Sequence, residues 1–223
     1  YHRTGLYPLP LPSGLGSEAA GTVAAVGEGV TRFKVGERVG YCSGVMGSYA
    51  QANNVAADRL VNLPDAISDE LAAAILLKGM TSQYLLRRIH PVKAGETIVF
   101  HAAAGGVGQI ACQWARHLGA TVIGTTTSPS KIELARANGC AHVLNSKDAG
   151  WEKQVRELTG GQGVDRVIEV DMASNAALNA ELLKADAAKA QAAAAASQPE
   201  SAGADAPLAA TPAPDASEPA TEA

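Results

Sequence analysis

The run Ile98-Val99-Phe100-His101-Ala102-Ala103-Ala104-Gly105-Gly106-Val107-Gly108-Gln109-Ile110-Ala111-Cys112-Gln113-Trp114-Ala115 constrains this chain more than any other stretch. β-branched and aromatic residues give way to small ones, then to two glycines and a valine, then to an apolar pattern at helical spacing. That order predicts strand, tight turn, helix. Small residues in such a turn let the backbone come against a pyrophosphate. Its charge then sits on the free N–H groups and positive dipole of the helix start. The stretch reads as a dinucleotide-binding turn.

The turn is not the standard fingerprint. Reading G-x-G-x-x-G with its last glycine at Gly108 puts Ala103 at the first glycine position and Gly105 at the second. Alanine fits the turn but takes φ > 0 only at a cost. Alone, the pattern also fits a helix start packed in a core, and it is the strand–turn–helix context that favours a nucleotide. Ala104, Gly105, Gly106, Val107 and Gly108 are the candidate phosphate-binding residues. A Cβ at Gly105 is expected to project toward the pyrophosphate, and one at Gly106 to crowd the contact between helix and strand.

The following sequence alternates in the same way. Gly119 to Thr125 is a second β-rich run, and Ser128-Pro129-Ser130-Lys131 precedes an apolar periodic stretch, as at a helix start. Gly139 to Asn145 reads as a third strand, Trp151 to Leu158 as an amphipathic helix, and Val164 to Val170 as a fourth strand. Strands alternating with helices predict an α/β fold with a parallel, Rossmann-type sheet.

Cofactor choice is read about 20 residues past the turn, where an Asp or Glu would grip the ribose 2′-OH of NAD. Here the second strand ends in Gly124-Thr125-Thr126-Thr127-Ser128, without an acid, and Lys131 follows. Thr126, Thr127 and Lys131 suit a 2′-phosphate through charge-assisted hydrogen bonds, so the expected cofactor is NADPH. The alternative for Lys131 is a solvated helix residue.

Upstream, short β-prone runs between glycines cover Gly14 to Gly27, Phe33 to Val39 and Gly47 to Gln51, which suggests a compact β-rich domain. Asp69 to Leu77 and Thr81 to Ile89 read as helical segments leading into the nucleotide half. Four segments carry a family likeness: Arg3-Thr4-Gly5-Leu6-Tyr7-Pro8, Gly16-Ser17-Glu18-Ala19-Ala20-Gly21, Leu77-Lys78-Gly79-Met80-Thr81 and His101 through Gly108. In that order and spacing the chain resembles the zinc-free medium-chain dehydrogenase/reductases, specifically the NADPH:quinone oxidoreductases related to zeta-crystallin. The resemblance covers roughly residues 1 to 180. It implies a GroES-like β domain beside a Rossmann domain, with the active site between them and a small-molecule quinone or enone as substrate.

Zinc-dependent members of the family carry Gly-His-Glu where this chain has Gly16-Ser17-Glu18, and a lobe of four close cysteines where it has only Cys42, Cys112 and Cys140. A structural zinc needs four ligands and a catalytic one three plus water, so no metal is expected. Hydride then comes from the nicotinamide, with the protein supplying orientation and a polar environment. The resemblance places Tyr1 and Tyr7 on the substrate side of the cleft as candidate catalytic residues, Tyr7 reading equally as a half-buried packing residue. It also places Thr81 near the nicotinamide, although spacing alone makes Thr81 a helix-start residue. Ser146 stands where relatives often have a tyrosine reaching the 2′-phosphate, and Asp171-Met172-Ala173 replaces a glycine-containing turn after the fourth strand.

The expected organisation is a partial GroES-like domain with bridging helices over 1–90, a partial Rossmann domain over 91–184, and an Ala/Pro-rich tail over 185–223. After Lys189 the chain has no basic or aromatic residue, a composition that cannot bury enough apolar surface to offset chain entropy, so disorder is expected from Ser197 onward. The likeness starts inside a family segment and stops past Leu183, so both domains read as truncated and the homodimer common in the family is disfavoured by an incomplete sheet. A net charge of −4 with no basic run argues against nucleic-acid or membrane-surface binding. Scattered cysteines and the lack of a signal peptide or spanning segment fit the cytoplasm. Three classes of function follow: an NADPH-dependent quinone or enone reductase, an inactive fragment that only binds the dinucleotide, and a non-enzymatic remnant or interaction polypeptide.

Overall fold

The computed structural model describes residues 5, 8–89, 91–169 and 179–184. The tail expected over 185–223 lies outside the described residues.

The first half is a small antiparallel sheet in the order β1 (Glu18–Thr22), β2 (Arg38–Cys42), β3 (Val61–Asn62). Its central strand carries Gly40, where a Cβ would stand 2.5 Å from Leu76 Cδ1. The missing side chain is what lets α1 (Asp69–Gln83) lie directly on the sheet. Ser68 caps α1 by accepting the Leu71 N–H, and Arg38 donates to Asp69 Oδ1 and to the Ile67 carbonyl, pinning β2 to the helix start.

The sequence reads two helical segments across Gly79. The structure has one helix running through it, extended by a wider π turn at Tyr84–Ile89. Nothing crowds Gly79 and its φ is not left-handed, so it costs the helix propensity without breaking it. Thr81 is therefore interior to α1 and not at a helix start, its hydroxyl donating to the Leu77 carbonyl at 2.7 Å.

The second half is the parallel sheet. β4 (Thr97–Phe100), β5 (Thr121–Thr126), β6 (His142–Asn145) and β7 (Arg166–Ile168) lie in the order β6-β5-β4-β7. β4 pairs in parallel with both β5 and β7, Val99 opposite Ile123 on one side and Val167 on the other. Helices α2 (Gly106–His117), α3 (Ile132–Ala137) and α4 (Trp151–Leu158) connect the strands. Ile98, Phe100, Val122, Ala111, Cys112 and Ala115 are buried in a single apolar core between sheet and helices. In this half the expected strands and the Trp151–Leu158 helix are present, the third and fourth strands shorter than read; in the first half the β-prone run Gly47 to Gln51 forms no strand, and Val61–Asn62 is the third strand of that sheet instead. Strand order reverses between β5 and β7, on either side of β4. In an open α/β sheet the crevice beyond the strand C-termini at such a point is where ligands bind.

Candidate dinucleotide site

The turn after β4 is built by its neighbours. Ala103 is fully buried and donates its N–H to the Thr125 carbonyl at 2.9 Å, so the turn is stitched to the end of β5. The left-handed residue is Ala102 (φ 52), not Ala103 at the first glycine position. The Gly105 N–H closes the turn on the Ala102 carbonyl at 2.8 Å, which fixes Ala102 in a conformation costing a non-glycine residue about 1–2 kcal/mol. Gly105 is the N-cap of α2, in extended conformation and with no side chain to cap the helix. The N–H groups of Gly106, Val107 and Gly108, the first three residues of α2, therefore have no intrahelical acceptor.

The three glycines do different work. A Cβ on Gly108 would stand 2.5 Å from the Ala103 carbonyl oxygen and 2.6 Å from that of Ala102, so it is Gly108 that brings α2 against the turn. A Cβ on Gly105 would lie 3.0 Å from the Ala102 carbonyl. One on Gly106 would find the side chain of Lys78 nearest, with Cγ 3.4 Å away. The crowding expected between Gly106 and the strand is thus not there, because Gly106 faces α1. Ala104 is buried, and its carbonyl accepts from the Gln109 side chain. A backbone turn stripped of side chains, opening on uncapped N–H groups, fits a pyrophosphate.

Thr126 ends β5, and Ser146 follows the end of β6. The Ser146 N–H donates to the Thr126 carbonyl at 2.9 Å, placing these two side by side. Thr126 is buried, and its hydroxyl both donates to the Ser128 carbonyl (2.7 Å) and accepts the Ser128 N–H (2.9 Å). Thr127 and Lys131 are exposed beyond that turn, Lys131 closing a 3-10 turn at Pro129–Lys131. Tyr1 and Tyr7 lie outside the described residues.

Beneath the turn sits a buried polar cluster that no sequence pattern singled out. His101 Nδ1 is 2.9 Å from the Thr125 hydroxyl, and Nε2 is 3.1 Å from Asn179 Oδ1 and 3.3 Å from Glu169 Oε2. Asn179 Nδ2 donates to the same Glu169 oxygen at 2.8 Å, and Trp151 meets the imidazole edge-on at 5.5 Å. The only hint was a histidine inside an otherwise apolar run.

Two of the three thiols are held less acidic than a free cysteine. The hydrogen bond shared with Cys140, together with burial, pushes the Cys112 thiol up; burial, reinforced by the Glu18 charge, raises that of Cys42. Among the described residues no group of three or more His, Cys, Asp or Glu side chains could hold a metal ion. Glu18, the acid after Ser17, accepts the Leu77 N–H at 2.6 Å and pairs with Lys78 at 2.9 Å. No helix among the described residues is long and apolar enough to cross a membrane.

A small antiparallel sheet followed by a parallel sheet, with a glycine-rich helix start at its reversal point, is a two-part architecture carrying a dinucleotide-type turn. Residues 1–65 match the alcohol dehydrogenase GroES-like domain and residues 106–209 the zinc-binding dehydrogenase domain. A quinone oxidoreductase of Pseudomonas aeruginosa is 55% identical over 163 residues, 73% of this chain and 50% of that protein. A 2-haloacrylate reductase of a Burkholderia species is 48% identical over 176 residues, 76% of this chain and 53% of the relative. The crystal structure of Escherichia coli quinone oxidoreductase complexed with NADPH superimposes with a TM-score of 0.79 at 45% identity, over 82% of this chain and 57% of that one. The chain belongs to the medium-chain dehydrogenase/reductase family, among its quinone oxidoreductase-like members. It spans about half the length of the curated relatives it matches.

Proposed function

We propose that this chain carries the dinucleotide site of an NADPH-dependent, zinc-independent reductase acting on a small quinone or enone in the cytoplasm. The observation that carries the reading is the helix start at Gly105–Gly108, uncapped and with glycine at three of its four positions, at the point where strand order reverses. Support for the electron-poor substrate comes from two relatives whose names specify quinones and a haloacrylate, both conjugated acceptors.

NADPH, when bound, supplies the hydride. The chain's own residues hold and orient it. The Gly106, Val107 and Gly108 N–H groups receive the pyrophosphate, Ala104 and Gly105 giving it room. Thr127, Lys131 and Ser146 surround the 2′-phosphate, and Thr126 shapes the turn that presents them. Thr81, on α1 of the first half, borders the nicotinamide, and Tyr1 and Tyr7 line the substrate side. A quinone is already electrophilic, so protonation of the reduced oxygen needs no strong acid. The organisation into 1–90, 91–184 and 185–223 is part of this reading.

The test is an NADPH fluorescence titration of the purified chain, with and without a quinone. Binding with oxidation supports the reductase. Binding without oxidation reduces it to a nucleotide-binding module, and the absence of both overturns the reading.

A further inference from the structure

Lys78 is held in a place that its own charge disfavours. It projects from α1, and its Cγ, Cε and Cδ lie 3.4, 3.6 and 3.7 Å from where a Cβ on Gly106 would be. The stem thus runs alongside the first residue of α2, with no side chain between. Its ammonium, one bond beyond Cε, lies beside a helix N-terminus, where the macrodipole repels a cation. Glu18 offsets this. One carboxylate oxygen takes the ammonium at 2.9 Å, the other the Leu77 N–H at 2.6 Å. The carboxylate side chain is 13% exposed and the lysine 37%, so the acid is fixed while the cation keeps a path to solvent. The backbone here is fixed as well. Ser82 donates to the Lys78 carbonyl at 2.8 Å and reaches the Val107 carbonyl at 3.4 Å, clamping α1 onto the first turn of α2.

The geometry points to Lys78 as a cofactor-positioning cation, neutralised by Glu18 until phosphate oxygens arrive at the α2 N-terminus and take a share of its ammonium. Glu18 then has the opposite sign of effect, competing with the cofactor for the lysine. The inference rests on the dinucleotide reading above. It also explains why residue 106 is a glycine: a side chain there would part Lys78 from the helix start.

The test is NADPH titration of the parent chain, Lys78→Met, Lys78→Arg and Glu18→Gln at low and high salt, with a thermal melt of each. Methionine keeps the apolar stem and removes the charge. Loss of one charge-assisted contact weakens NADPH by about tenfold. That loss shrinks at high salt as the ions screen it. Lys78→Arg retains most of the affinity, and Glu18→Gln tightens NADPH even as it lowers the melting temperature. Opposite signs for the two partners are the result that a purely structural ion pair does not produce. Unchanged NADPH affinity in Lys78→Met, or weakening in both Lys78→Met and Glu18→Gln, overturns the proposal while leaving the dinucleotide reading intact. A folded parent chain that binds no NADPH overturns both.

Discussion

Gly108 sits so close to Ala103 that a Cβ on the glycine would stand 2.5 Å from the alanine's carbonyl oxygen. The contact is backbone to backbone, between the first turn of α2 and the turn that precedes it, and neither side can yield. Gly108→Ala is expected to cost about 1–3 kcal/mol, the range for overpacking a tight contact. The nearest atoms to a Cβ at Gly106 are those of the flexible Lys78 stem, so Gly106→Ala should leave stability close to the parent's. Urea unfolding of the two variants checks the order. A Gly106→Ala loss as large as that of Gly108→Ala would mean that the helix does not approach the turn as described.

Gly105→Val tests the cradle itself. A branched side chain next to the Ala102 carbonyl closes the space in which a pyrophosphate would lie, and NADPH binding should be abolished while the far-UV circular dichroism stays that of the parent. Parent-like NADPH affinity in this variant removes the phosphate role from the turn.

Lys131 is exposed just past the end of β5, where no acid competes for a 2′-phosphate. Lys131→Ala should weaken NADPH by about tenfold to a hundredfold, the worth of one charge-assisted contact, and leave NADH unchanged. Parallel titrations with the two cofactors decide it, since equal losses would assign Lys131 to the fold.

His101 is the hub of the buried cluster, with Thr125 on one ring nitrogen and Asn179 and Glu169 on the other. His101→Leu removes both sets of contacts at once from a site closed to water. The expected destabilisation is about 1–3 kcal/mol for each buried polar group left short of a partner. Thr125→Val should cost less, because it removes one contact from one side. Chemical denaturation of the pair measures the difference.

Asp165 gives the fold an acid limb. Burial alone would push its carboxyl up. The Lys184 ammonium at 2.8 Å, the Thr97 N–H at 2.8 Å and the nearby Arg166 charge outweigh that and hold it below the ordinary aspartate value. A carboxyl lowered in the folded state stabilises fully above its unfolded pKa, about 4, and that contribution is lost as pH falls through the lower folded value. Asp165→Asn should therefore be less stable than the parent at pH 7, and the gap should close as the pH is taken below 4. Denaturant midpoints from pH 7 to pH 3 test this. A gap that stayed constant would remove Asp165 from the acid response.

Much of the nucleotide half was legible because its signals are local. Trp151 and Val155 fall on one face of an eight-residue helix at i, i+4 spacing, and that helix formed with the bounds read from it. The β-branched runs before and after α2 became adjacent parallel strands because βαβ connections permit little else. Gly79 misled because a glycine signals a helix stop only when nothing holds the helix together. Here Ser82 bonded to the Lys78 carbonyl, together with the packing of α1 on β2 and α2, carries the helix through.

The sequence by itself determined that a strand, a stripped turn and a helix follow one another at Ile98–Ala115, and that no acid waits at the end of the next strand. Both are properties of consecutive residues, set by side-chain size, β-branching and charge. Only the tertiary structure decided that Ala102 takes the left-handed turn, that Gly108 makes the close approach and that Gly106 faces a lysine. The structure alone also decided that Glu18 and Lys78, 60 residues apart, form an ion pair beside the start of α2. Those outcomes depend on which backbone passes within about 4 Å of which other, and distance through the fold is not written in distance along the chain.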